Sequence, residues 1–438
     1  MSKKCELCSE EISGGGSPVE VAPGEKIVIC ADCFKALEMG LKMGTEGSLP
    51  PPKSDSLVVE KRFVDQYNGI RNFDMTPSEI ISALDERIVG QADAKRSLSL
   101  ATRRHYRRVQ VRMLNEEKMA NEMPKENILL IGPTGSGKTY ISQTLSKIVG
   151  VPFWRQALTS FTEAGYVGSD VENLLSSLVI NSGKMVKLAE TGILFLDEVD
   201  KKAQRSTDHI GHPRDVSGVG VQQALLEMCD PKGAVVNVSV AGVSSMGHPM
   251  RVTVPVDTKD NLFIFAGAFA DGLSEIIVKR IGGRKKIGFL SDGNSEIDRI
   301  KEQSDILKNV QHEDLEQYGF ITEFCGRLGI VVVLDPLSKD ELRSIMTDID
   351  GAVVKRLQLL ADVEGFSLEF TDEAIDAIVD DCYKSGMGAR RLSAMCVKCS
   401  EHIFFDLPDV VKSKKGRKKI SAKVIAATIG DPSVYEVS

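Results

Sequence analysis

Gly132-Pro133-Thr134-Gly135-Ser136-Gly137-Lys138-Thr139 directly follows the apolar run Ile128-Leu129-Leu130-Ile131 and opens a helix-like segment that stops at Gly150. The spacing is G-x-x-x-x-G-K-[ST], in the context such a loop needs: strand, glycine-rich turn, helix start. Glycines let backbone N–H groups turn inward around phosphate oxygens, and the helix N-terminus adds partial positive charge. Lys138 suits the β and γ phosphates, and the Thr139 hydroxyl suits Mg2+. The residues from Gly132 to Tyr140 are therefore expected to bind a nucleoside triphosphate.

Downstream, Ile193-Leu194-Phe195-Leu196-Asp197-Glu198 is an apolar strand ending in two carboxylates. Behind a phosphate loop such a strand is expected to lie beside the loop's own strand. Its Asp then holds Mg2+, through water or directly, and the following Glu orients and deprotonates the attacking water. The pair predicts hydrolysis as well as binding. Val151-Pro152-Phe153-Trp154, Leu262-Phe263-Ile264-Phe265-Ala266 and Ile330-Val331-Val332-Val333-Leu334 read as further strands. Alternation with helices predicts an α/β fold, a doubly wound parallel sheet with the phosphate site at its carboxyl edge.

The chain has 438 residues, enough for two or three domains, and 42% of them are hydrophobic, as in a globular protein. A formal net charge of −7 gives no basic field that would favour nucleic acid. The start, Met1-Ser2-Lys3-Lys4-Cys5, has no signal-peptide core, and no apolar run approaches the ~20 residues that span a bilayer. A cytoplasmic protein without membrane or nucleic-acid partners is expected.

Cys5 and Cys8, then Cys30 and Cys33, form two C-x-x-C pairs around a Gly/Ser/Pro-rich middle. They suit a closed tetrahedral Zn2+ site, structural rather than catalytic; ordinary cysteines or a redox pair are the alternative. So small a segment buries little, and zinc would supply most of its folding free energy. The linker that follows carries Pro50-Pro51-Pro52. Thr76-Pro77-Ser78-Glu79 is a capping box that opens a helix, and Ser338 to Glu341 is another. Arg103, Arg104, Arg107 and Arg108 cluster around Tyr106; a solvated or subunit-facing helix side is expected there rather than a nucleic-acid face. Tyr166-Val167 sits between glycines, as a mobile apolar tip or a buried turn. Cys396-Val397-Lys398-Cys399 lies in a helical pattern with no second pair, so core or surface cysteines are expected. From about Asp335-Pro336 the pattern is mainly helical, with a possible strand at 366–370. The expected organisation is a zinc module (1–45), a linker (46–74), a large α/β domain (75–335) and a smaller, mainly helical domain (336–438).

Together these motifs, in this order over nearly the whole chain, resemble the ClpX family of zinc-containing AAA+ unfoldases. The resemblance implies an ATP-dependent unfoldase that works as a homo-hexameric ring and threads substrate proteins into the ClpP peptidase, with adaptors recognised by the zinc module. It implies that Val89, Gly90 and Gln91 contact adenine, and that Tyr166 and Val167 belong to a pore loop gripping translocating polypeptide. Arg214 to Gly218 resembles the second pore loop. Arg327, in Glu323-Phe324-Cys325-Gly326-Arg327, resembles a finger acting on the neighbouring subunit's nucleotide. Arg390, in Gly388-Ala389-Arg390-Arg391, resembles the sensor-2 residue facing the γ-phosphate. Ile287-Gly288-Phe289 resembles the peptidase-docking loop.

The chain departs from the family at two places. Ser244-Ser245-Met246-Gly247-His248 stands where an Arg-Lys-His run is common, and Phe265-Ala266-Gly267 lacks a polar phosphate-sensing residue. No sensor-1 residue is assigned. Two other classes share the nucleotide motifs: a DNA-acting AAA+ ATPase, and a chaperone that works without a peptidase.

Overall fold

The computed structural model describes residues 17–22, 25–29, 61–161, 167–203, 216–243, 249–270, 272–282, 296–413 and 420–437. Cys5, Cys8, Cys30 and Cys33, Tyr166, Arg214, His248 and the docking candidates Ile287, Gly288 and Phe289 lie outside them. Near the N-terminus an antiparallel pair, Ser17–Ala22 with Glu25–Ile29, is described.

The large domain is built on five parallel strands: β1 (Asn127–Ile131), β2 (Phe153–Ala157), β3 (Ile193–Asp197), β4 (Leu262–Gly267) and β5 (Leu328–Val333). Their spatial order is β2-β3-β4-β1-β5. The expected neighbour relation is thereby corrected. The acid-bearing β3 does not lie beside the loop strand β1, because β4 pairs with both of them. Strand order is a long-range choice, and a central apolar run fits any interior slot equally well.

Helices cover both faces, so the inner strands read as continuous apolar runs. Leu129 and Ile131 of β1 enter one core with Leu194, Leu196, Phe263 and Phe265. Ile128 and Leu130 enter the opposite core with Ile193, Phe195, Leu262 and Ile264. The period of two along each strand makes this division. Edge strand β2 is only half-buried.

The Thr76 capping box forms as expected and opens Pro77–Asp85, with Ile80 and Leu84 fully buried. A long helix, Ala92–Met113, follows. The expected solvated arginine side holds for Arg104 and Arg107, which are exposed, and is corrected at Arg108. Arg108 is 1% exposed and donates to the Lys259 carbonyl at 2.6 Å, facing Asp260. Arg103 and Arg107 both pair with Asp74, and Arg104 with Glu126. An antiparallel hairpin, Val235–Val243 with Pro249–Asp257, is present that the sequence reading did not include. Val167 and Gly168 are the first residues of a helix, Val167–Asn181.

Beyond Leu334 the chain builds a third core from Leu337, Leu342, Met346, Phe366, Ile378 and Leu392. Its helices are Lys339–Thr347, Val353–Glu364, Asp372–Lys384 and Ala389–Ser413. The strand expected at 366–370 is present and pairs in parallel with Ile420–Val424. Cys396 and Cys399 are fully buried beside Cys382, as core residues. Among the described residues no helix is long and apolar enough to cross a membrane.

Candidate nucleotide site

The phosphate loop turns out of β1 on glycines whose backbone leaves no alternative. Gly135 and Gly137 have φ of +80° and +98°, in the region that favours glycine. Gly137 is the N-cap of helix Lys138–Val149, and no side chain caps that terminus. The first-turn amides therefore remain available to an anion. Ser136 is 4% exposed and its Oγ has no partner among the described residues. Unspent amides, an orphaned buried hydroxyl and a helix N-terminus together fit a polyphosphate. Tyr140 is exposed one turn along.

Lys138 is folded onto its own loop, where Nζ donates to the carbonyls of Gly132 at 2.6 Å and Pro133 at 3.0 Å. Burial pushes its ammonium down to about 8, against the opposing pull of Asp197 and Asp200. A phosphate would replace those carbonyls and restore the charge.

Asp197 ends β3, and Glu198 follows in a left-handed conformation (φ +59°). For a non-glycine residue this costs on the order of 1–3 kcal/mol, the kind of strain that recurs at functional sites. Both carboxylates are held from the segment around β2. Arg155 Nη2 donates to Asp197 Oδ2 at 2.7 Å, and Thr159 Oγ1 donates to Glu198 Oε2 at 2.6 Å. Sequence reading missed Arg155 and Thr159, since a polar residue near a strand end has no signature until its neighbouring strand is known. At the end of β4, Gly267 has no room for a side chain. An added Cβ would lie 2.6 Å from the Phe269 ring and 2.7 Å from Asp200 Oδ1. A side chain there would have to displace the Phe269 ring and the Asp200 carboxylate.

The residues expected at adenine form the joint between the large domain and the segment beyond it. Gln91, at φ +56°, exchanges two hydrogen bonds with the Asp335 backbone, at 2.8 and 2.9 Å. Gly90 is pressed so closely by Glu341 that an added Cβ would lie 1.7 Å from Oε1. Glu341 in turn completes the capping box of Ser338. Half-buried Val89 precedes them. A cleft nearby has Pro133 to Ser136 on one wall and Leu337, Tyr383 and Gly388 on the other. Gly388 packs directly on the loop, and the Ala389 N–H donates to the Gly135 carbonyl at 3.3 Å. Arg390, next along, is exposed, and its charge is felt at Lys138.

Arg327 is elsewhere. It precedes β5, whose Leu328 stands opposite Asn127, the first residue of β1. The phosphate loop leaves the other end of β1, about 15 Å away at ~3.3 Å per residue. Arg327 instead pairs with Asp230 at 2.6 Å, with 39% of its side chain exposed. The chain thus brings Lys138, Asp197, Glu198 and Arg390 to one end of the sheet and leaves Arg327 at the other.

Known proteins match along the same lines. A family model for the AAA domain (Cdc48 subfamily) matches residues 123–331. A model for the C-terminal D2-small domain of ClpB matches residues 337–398. Curated relatives from two strains of Porphyromonas gingivalis, each an ATP-dependent Clp protease ATP-binding subunit ClpX, are 38% identical over 357 residues. The match covers 81% of this chain and 82% of each relative. With an AAA fold, a phosphate loop and a carboxylate pair in place, the chain is an ATP hydrolase and belongs to the ClpX family.

Proposed function

We propose that this protein is an ATP-dependent unfoldase and translocase that works as a homo-hexameric ring and feeds substrate proteins into the ClpP peptidase. The observation that carries the reading is the position of Arg327. It stands a strand length from its own phosphate loop, so only a neighbouring subunit's nucleotide lies within its reach. A finger offered outward by every copy makes a head-to-tail interface, and closure of that interface gives a ring.

In this reading 75–335 and 336–438 are the large and small domains, and the residues from Gly132 to Tyr140 with Val89, Gly90 and Gln91 hold ATP. Asp197 and Thr139 would hold Mg2+, which shields the phosphate charge when bound. Glu198 takes the proton of the attacking water. Hydrolysis removes the γ-phosphate contacts of Lys138, Arg390 and the neighbour's Arg327. The Gln91–Asp335 joint then transmits a change of angle between the domains. Tyr166 and Val167 move axially with it, and an aromatic tip grips polypeptide by apolar contact without regard to sequence. Ile287, Gly288 and Phe289 dock ClpP. Cys5, Cys8, Cys30 and Cys33 bind Zn2+ in a module that receives substrates or adaptors, and the assembly works in the cytoplasm.

The test is ATP-dependent degradation of a folded, tagged reporter by the full chain, with and without ClpP. Unfolding should require ATP, and degradation should require ClpP as well. Tyr166→Ala should retain ATP hydrolysis and lose unfolding, and Phe289→Ala should retain unfolding and lose degradation. A reporter left intact under all conditions would reject the reading.

A further inference from the structure

The parallel register sets Ala157 opposite Asp197 and Arg155 opposite Phe195, so Arg155 lies on a diagonal from Asp197 on the same side of the sheet. An arginine spans such a diagonal readily. Its Nη2 donates to Asp197 Oδ2 at 2.7 Å, while the Glu198 backbone N–H donates to Oδ1 at 3.1 Å. Both oxygens of Asp197 are therefore engaged within the chain. The Asp197 side chain is 14% exposed and that of Arg155 49%, so the arginine lies on the open side, from which a cation would also come.

We propose that Arg155 is a competing cation at the metal-binding carboxylate, and that it sets the Mg2+ concentration at which the nucleotide site loads. The inference rests on the proposed role of Asp197 as a metal ligand. The carboxylate keeps free lone pairs, but a guanidinium bonded at 2.7 Å to Oδ2 already neutralises its charge and repels a second cation, so Mg2+ must move it aside to bind there. A charge-assisted hydrogen bond is strong enough to oppose that, and its half-exposed guanidinium can still be displaced into solvent.

Displacement also has a mechanical consequence. Arg155 lies on the segment that runs through Thr159 and Phe161 toward Tyr166, and Thr159 holds Glu198 from that segment. Metal loading thus releases one of the two bonds that, among the described residues, tie this segment to Asp197 and Glu198.

The test titrates Mn2+, a spectroscopic substitute for Mg2+, into the full-length chain saturated with ADP, reading free Mn2+ by electron paramagnetic resonance. Arg155→Gln should tighten Mn2+ binding by about two- to tenfold. Arg155→Lys, which keeps the charge, should lie between it and the wild type. Asp197→Asn should weaken binding. Equal affinity in the wild type and Arg155→Gln, with Asp197→Asn weakened, would overturn the proposal and leave the metal role of Asp197 standing. Unchanged affinity in Asp197→Asn would remove that role and the proposal with it.

Discussion

The two ends of the parallel sheet hold their charges in opposite ways. At the carboxyl end Asp197 and Glu198 each rest on one exposed side chain, Arg155 and Thr159, and Lys138 rests on loop carbonyls. At the amino end Lys125, 8% exposed, donates to the carbonyls of Met228, Asp230 and Thr258 and lies over the Phe263 ring. Beside it Arg108 and Arg112 share buried Asp260. Asn127 ties Cys229 to Arg327 through their carbonyls at 3.1 and 2.9 Å. Charges held by exposed side chains or by the loop that would receive the ligand can be handed over, whereas charges held by several buried acceptors cannot. One end is built for exchange and the other for permanence. Arg327 combines the two, its backbone fixed by Asn127 and its guanidinium paired with part-exposed Asp230.

The largest effect should come from breaking that combination. Arg327→Ala should lower steady-state ATP hydrolysis of the assembled protein by about 10³-fold, with its melting temperature little changed. Loss of less than tenfold would mean that the guanidinium does no work at a phosphate. Next, Glu198→Gln should retain ATP binding and lose turnover by roughly 10²-fold or more; turnover near that of wild type would remove Glu198 as the base.

At the permanent end the cost should appear as stability. Lys125→Met removes three charge-assisted bonds, although each carbonyl keeps one other donor, and should lower unfolding free energy by about 1–3 kcal/mol in a denaturant titration. ATP hydrolysis at low temperature should persist, and an unfolding midpoint equal to wild type would contradict the contrast.

A smaller effect follows from Lys138. Its proton is lost as pH rises through about 8, whereas phosphate contact favours the charged form. The complex therefore holds more proton than the free loop above pH 8, so ATP affinity should fall as pH rises from 7 to 9. Calorimetry near pH 8.5 in buffers of different ionisation enthalpy should show proton uptake on binding; no uptake and a flat affinity profile would contradict the shift. Least of all, Asp230→Asn should change stability by under about 1 kcal/mol, because its pair with Arg327 is half-exposed.

The exchanging end was the more legible in sequence, for a physical reason. Gly135 and Gly137 sit where the backbone admits little else, and Lys138 opens a helix with no other cap, so local rules fix the loop. β1, β3 and β4 are buried on both faces and read as unbroken apolar runs. Partners drawn from far along the chain were not legible. The insertion of β4 between β1 and β3, the reach of Arg155 to Asp197 and the pairing of Gln91 with Asp335 all depend on three-dimensional order. The same blindness made Arg108 look like a surface residue, since its partners Lys259 and Asp260 are some 150 positions away. The 235–257 hairpin was legible but went unread: Val236, Val238 and Val240 alternate with Asn237 and Ser239, and Val252, Val254 and Val256 with Thr253 and Pro255, the period of two of a half-buried strand.

The central claim is that each hydrolytic site is completed by a second copy of the chain. The most direct measurement mixes two inactive variants, Arg327→Ala and Glu198→Gln, at varied ratios and follows ATP hydrolysis. A shared site predicts that activity returns on mixing, because an Arg327→Ala subunit keeps its own Glu198 and receives Arg327 from its Glu198→Gln neighbour. Assembly of mixed complexes with no recovery at any ratio would show that each chain hydrolyses alone, and the account would fail.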